Sequence, residues 1–88
     1  MPLFDRLLIA NRGEIAVRIA RAAAALKIGA SAVYAQDDKE SLHVRMADAA
    51  EAIPGRGARA YLDIEQILAA AARSGCQAIH PGYGFLAE

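Results

Sequence analysis

RLLIANRGEIAVRIARAAAALKIGASAVYA, residues 6–35, holds the reading that decides the fold. RLLIA, 6–10, is a short apolar run behind polar residues, the pattern of a buried strand. From Glu14 the period becomes helical. Ile15, Ile19, Ala22 or Ala23, and Leu26 recur at three- and four-residue intervals, with Lys27 in the last turn and Gly29 placed to close it. SAVYA, 31–35, is the next strand. Strand, helix and strand within ~30 residues make a βαβ unit, whose two strands must run parallel.

Downstream, the pattern repeats. QDDKES, 36–41, reads as a charged turn and Leu42 to Ala47 as a short helix; AAEAI, 49–53, is a third strand bounded by Pro54 and Gly55. GRGARA, 55–60, is a loop with two arginines. YLDIEQILAAAARSG, 61–75, has the strongest helix signature. Asp63 caps it with Gln66 as reciprocal partner, Leu62 and Ile67 are spaced as a hydrophobic staple, and Gly75 ends it. Ile64, Ile67, Leu68 and Ala71 supply its expected buried face. CQAIH, 76–80, is the last strand. The predicted architecture is a three-layer, Rossmann-like α/β piece with a parallel sheet of about four strands.

Composition narrows the function classes. The chain has 88 residues and is 56% hydrophobic, but much of that is alanine, which buries little area per residue. One domain or part of one is expected, with help from a neighbour. Ten basic residues balance ten acidic ones, which argues against nucleic acid or an anionic membrane as the main partner. Glu14, Arg18 and Arg21 interrupt the longest apolar region, MPLFDRLL lacks the basic start of a secretory signal, and Cys76 has no second cysteine to pair with. A cytoplasmic location is expected.

Two stretches could carry chemistry. NRGE, Asn11 to Glu14, occupies the first strand-to-helix turn, where dinucleotide-binding folds keep three glycines against the pyrophosphate. Only Gly13 is present, so the residues point to a tight turn tied locally by Asn11 rather than to NAD or FAD. HPGYG, 80–84, leaves the last strand. Pro81 stops a regular ladder, Gly82 and Gly84 permit unusual dihedrals and close backbone approach, and Tyr83 offers a ring with a polar tip. Such a set is either a structural turn or a wall for a planar or anionic ligand.

The remaining candidates are weaker. Arg18 and Arg21 share a helix face with Glu14 and mark either a solvated surface or a polar contact with another domain or subunit. Arg56 and Arg59 read as surface-loop residues, and Cys76 as a core thiol. His43 and His80 lack neighbours at metal-ligand spacing. With no paired carboxylates and no phosphate-binding lysine loop, no catalytic residue is assigned.

LLIANRGEIAVRIARAA (7–23), SLHVRMADAAEAI (41–53), YLDIEQILAAA (61–71) and AIHPGYGFLAE (78–88), in this order, closely resemble the start of the biotin carboxylase family. The resemblance covers essentially the whole chain. It implies a pre-ATP-grasp domain, truncated within 1–88, that precedes an ATP-grasp domain and a C-terminal domain. The family's reaction uses ATP, magnesium and bicarbonate to carboxylate biotin held on a carrier protein or domain. Its nucleotide-binding lysines, metal-binding carboxylates and catalytic base lie beyond position 88, so the resemblance implies no cofactor bound and no turnover by this chain alone. It also implies a cleft rim at His80, Gly82, Tyr83 and Gly84, and a structural turn at Asn11, Arg12, Gly13 and Glu14. Arg18 and Arg21 match arginines that face a subunit interface in dimeric members, making a homodimer one arrangement beside contacts with the other domains and the carrier.

Departures from the family pattern touch the accessory features. PGRGARAYLD is about one residue short, Asp63 replaces a common Asn, Ala25 stands where an acidic residue is frequent, and QDDKES differs from the usual loop. They leave the acyl substrate and the dimer contact open. Two rival readings remain: a stand-alone scaffold or interaction domain, and the N-terminal piece of a carbamoyl-phosphate-synthase-like ligase.

Overall fold

The computed structural model describes residues 5–82. Four strands, β1 (Arg6–Ile9), β2 (Gly29–Tyr34), β3 (Ala49–Ala52) and β4 (Ala78–His80), form one parallel sheet in the order β3-β2-β1-β4. Helix α1 (Gly13–Ala25) joins β1 to β2, α2 (Leu42–Met46) joins β2 to β3, and α3 (Ile64–Ser74) joins β3 to β4. Single 3-10 turns lie at Gln36–Asp38 and Ala58–Leu62. The three-layer architecture read from the periodicity is therefore correct.

Winding direction decides where the layers go. A right-twisted strand feeding a right-handed helix returns to a parallel neighbour by a right-handed crossover. The first two crossovers step outward through β2 to β3, and α1 and α2 lie against one another. The third returns past β2 and β1 to β4, so α3 covers the opposite face. Leu7, Ile9 and Ala30 pack under Ala16, Ile19, Ala20 and Ala23 of α1. Leu8, Ala10, Val33 and Ala35 pack with Ile67, Ala70 and Ala71 of α3, closed at the side by Ile53 and Tyr61.

Both helices bury part of the expected face, Ile19 and Ala23 of α1 and Ile67 and Ala71 of α3, and turn the rest outward. In α1 the buried series is Ala16, Val17, Ile19, Ala20 and Ala23, whereas Ala22 and Leu26 are exposed and Ile15 is half-buried. In α3, Ile67, Ala70 and Ala71 are buried, while Ile64 and Leu68 stand in solvent. Alanines let a helix approach a sheet closely, so small residues take the central positions and larger ones turn to the edges.

Short strands are lengthened by side chains. Gln77 Oε1 accepts the backbone N–H groups of Asp5 and Arg6 at 3.0 and 2.9 Å, joining the starts of β4 and β1. Asp48 Oδ2 accepts the Ala30 N–H at 2.8 Å ahead of β3. Arg73 on α3 pairs with Glu51 on β3 at 2.9 Å. Buried His43 is a packing residue: its Nε2–H donates to the Val33 carbonyl at 3.1 Å and fastens α2 to β2.

Helix ends followed the local signals in part. Asp63 Oδ1 accepts the Gln66 N–H at 3.3 Å, as a cap should, but the reciprocal bond is replaced by Asp63 N–H donating to the Ala60 carbonyl. Leu62, expected to staple onto Ile67, is half exposed. Gly75 closes α3 in the left-handed region at φ 69°, with Cys76 N–H returning to Ala71 O. At the end of α1 the same closure is made by Lys27, at φ 60°, with Ile28 N–H returning to Ala23 O; Gly29 instead opens β2. A lysine thus makes the closure that glycine was expected to make two residues later. Lys27→Gly is expected to stabilise the chain by about 1 kcal/mol, since a Cβ is penalised in the left-handed region. A higher urea midpoint with unchanged slope checks it.

Candidate functional site

Winding reverses between β1 and β4, and in open parallel sheets the crevice at the carboxyl ends of such strands is where ligands bind. Here the chain ties the two strand ends at that crevice to each other. Asn11, directly beyond β1 and fully buried, donates from Nδ2 to the Pro81 carbonyl beyond β4 at 2.7 Å. Its Oδ1 accepts the Arg12 N–H at 2.8 Å. The local tie expected of Asn11 is present, and the longer bond across the sheet accompanies it.

Gly82 completes the closure. Its φ is 68°, and a Cβ there would lie 2.6 Å from Ile15 Cγ2 and 2.9 Å from Asn11 Nδ2, closer than atoms can pack. Its N–H donates to His80 Nδ1 at 3.0 Å, so that ring nitrogen is the acceptor. His80 and Gly82 therefore share one turn against Asn11. Tyr83 and Gly84 lie outside the described residues.

The NRGE turn is anchored from its other side by residues that no motif announced. Arg12 Nη2 donates to Asp38 Oδ1 at 2.8 Å, and its guanidinium stands 5.6 Å from the centroid of the Tyr61 ring. The Tyr61 hydroxyl donates to Asp38 Oδ2 at 2.7 Å and accepts the Ala35 N–H at 3.2 Å. Burial pushes the Tyr61 phenol well above its ordinary 10.0; the Ala35 amide opposes that rise and the Asp38 carboxylate adds to it. QDDKES is thus more than a charged surface turn, because Asp38 is buried and holds both partners. Next to it, the Gly57 N–H donates to Asp37 Oδ1 at 2.9 Å and holds that carboxyl below its ordinary 3.8.

Gly13 takes φ 66° at the start of α1, the tight turn the sequence suggested, and Glu14 is exposed in the first helical turn. Arg18 and Arg21 are both exposed; among the described residues no ion pair joins Arg18 to Glu14. Arg18, Ile15, Ile19 and Leu26 line a groove of about 630 Å³ that runs along α1 to His80 and Gly82. One groove therefore connects the arginine-bearing helix with the HPG turn. Arg56 and Arg59 are exposed on their loop, and Cys76 is half-buried against the core, its Sγ 3.3 Å from Ser74 Oγ. Among the described residues, no three His, Cys, Asp or Glu side chains converge as a metal site, and no helix is long and apolar enough to cross a membrane.

Known proteins share this fold. The family described as "Biotin carboxylase, N-terminal domain" matches residues 3–88. The alpha3 subunit of a biotin-dependent acyl-coenzyme A carboxylase from Mycobacterium leprae is 58% identical over 84 residues, 94% of this chain. Biotin carboxylase 1 of Bacillus subtilis is 53% identical over 87 residues, 98% of the chain. The chain spans only 14% and 19% of the length of these two relatives. Among solved structures, the biotin carboxylase domain of a single-chain bacterial carboxylase superposes with a TM-score of 0.89 at 59% identity, covering 92% of this chain and 19% of that one. The biotin carboxylase domain dimer of Hydrogenobacter thermophilus 2-oxoglutarate carboxylase, solved with MgADP, ADP and bicarbonate, gives 0.91 at 44% identity, covering 98% and 19%.

Tyr61→Phe leaves two buried groups, Asp38 Oδ2 and the Ala35 N–H, without the hydroxyl they share. A loss of about 2 kcal/mol is expected in urea unfolding. The folded phenol lies above its unfolded value, so its contribution is complete below pH 10.0 and is lost as pH rises from there toward the folded value. Tyr61→Phe should remove that part of the alkaline fall in stability, which unfolding curves on either side of pH 10.0 measure.

Proposed function

The chain belongs to the biotin carboxylase family as its N-terminal domain, and on that premise we propose that it is the structural and cleft-forming part of an enzyme that carboxylates carrier-bound biotin with MgATP and bicarbonate. The observation that carries this reading is the HPG turn. It is held at the carboxyl edge of the sheet, at the winding reversal, by the Asn11–Pro81 bond.

His80 and Gly82, with Tyr83 and Gly84, form one rim of the cleft and shape the surroundings of biotin or of the transferred phosphate. His80 supports the rim rather than acting as base, since its Nδ1 lone pair is engaged by the Gly82 N–H. Asn11, Arg12, Gly13 and Glu14 hold the turn behind it. Arg18 and Arg21 face the remaining domains or a second subunit, and the apolar groove beside Arg18 fits such a contact. Metal and nucleotide are held by the ATP-grasp domain of the same enzyme.

In the reaction, bicarbonate oxygen attacks the γ-phosphorus of ATP and ADP leaves, forming carboxyphosphate. The carboxyl group then bonds to N1′ of biotin, phosphate departs, and the N1′ proton is lost to a base. This chain contributes walls and contacts to both steps; the groups that move protons and phosphate stand on the other domains.

Grafting tests the proposal. This chain should replace the matching 87 residues of Bacillus subtilis biotin carboxylase 1 and keep bicarbonate- and biotin-dependent ATP turnover within about tenfold of the parent. The isolated 88-residue chain should show none. A folded chimera without turnover, or such turnover by the isolated chain, would contradict the proposal.

A further inference from the structure

We infer that Asn11 is a positioning residue for the cleft rim: its side-chain amide replaces the β-ladder where β4 ends and sets the direction in which the chain leaves the sheet through Pro81 and Gly82. The importance of this direction for catalysis rests on the proposed function; the replacement of the ladder does not.

The backbone cannot hold this junction unaided. The β1–β4 ladder closes at the Ile9–His80 pair, with the Ala10 N–H donating to the His80 carbonyl at 3.0 Å. Pro81 has no N–H to offer a neighbour, so regular pairing cannot be carried on through it. The Pro81 carbonyl is instead taken by Asn11 Nδ2 at 2.7 Å. Which way the carboxamide faces is also determined, because its Oδ1 must accept the Arg12 N–H and a carbonyl can receive only an amide hydrogen.

Asn11 is itself held from behind. Arg12 is pinned to Asp38, and Asp38 to Tyr61, so the backbone bearing the carboxamide is tied to the far side of the sheet. In front, Gly82 lies against Ile15 and Asn11 with no room for a Cβ, and its N–H is bound by His80. The turn is therefore clamped between one buried amide and one helix side chain. Aspartate at position 11 keeps the shape and the acceptor for Arg12 N–H but sets a carboxylate oxygen against the Pro81 carbonyl.

Two measurements decide the inference. In the 88-residue chain, Asn11→Asp should speed hydrogen exchange of the Gly82 amide by about tenfold, with the amides of Leu8 and Val33 unchanged. In the Bacillus subtilis chimera, the same substitution should raise the KM for free biotin by about tenfold and leave the KM for ATP unchanged. Unaltered exchange at Gly82 overturns the inference whatever the enzyme does. Faster exchange with an unchanged biotin KM in an active chimera reduces Asn11 to a local structural role and overturns the positioning claim. A wild-type chimera without turnover counts against the proposed function, while Gly82 exchange still decides whether Asn11 holds the turn. If Asn11→Asp does not fold, uncharged Asn11→Ser removes the same donor and is read by the same two measurements.

Discussion

The rest of the structure depends on a single constraint: a parallel sheet in which three of the four strands are very short must be kept in register with few ladder bonds. β4 has three residues and β1 and β3 have four each. Parallel pairing gives slanted and somewhat weaker bonds than antiparallel pairing, so strands this short need added ties. The chain supplies them as side-chain amides and carboxylates at the strand ends. Gln77 and Asp48 act at the amino edge, and Asn11 at the carboxyl edge. The carboxyl-edge tie falls at the winding reversal, so what fixes the sheet also shapes the proposed cleft.

Alanine has a related consequence. Ala16, Ala20 and Ala23 bring α1 close to the sheet, and Ala70 and Ala71 do the same for α3. Close approach packs well but removes little apolar surface from water for each residue. The larger side chains that would add area, Leu26, Ile64 and Leu68, remain exposed. The helices thus keep several large apolar side chains on the surface, open to contact with a neighbour. That fits relatives in which the matched segment is a fifth or less of the polypeptide.

Much of the fold was legible because its signals are local. The alternation of apolar runs and helical spacing located every strand and helix, and Asp63 and Gly75 marked the ends of α3 through the bonds those residue types make with their own neighbours. The burial faces were legible only in part: Ile19, Ala23, Ile67 and Ala71 are buried as the spacing suggested, but spacing does not show how far a helix rolls its face toward the sheet. Lys27 illustrates a further limit. Glycine is the cheapest residue for a left-handed closure, but the position follows from where the strand must begin, and β2 begins at Gly29.

The amino-acid sequence alone determined the order of elements and the parallel class of the sheet, and it singled out two candidate stretches, NRGE and HPGYG. Each is written in residues only a few positions apart, where backbone preference and helical or strand period act. Tertiary structure decided that the two stretches touch. Asn11 and Pro81 are 70 residues apart, and Arg12 and Asp38 are 26 apart, so neither bond has a spacing that marks it in advance. They exist because the third crossover returns β4 to the side of β1, where a buried amide meets a carbonyl that proline leaves outside the ladder.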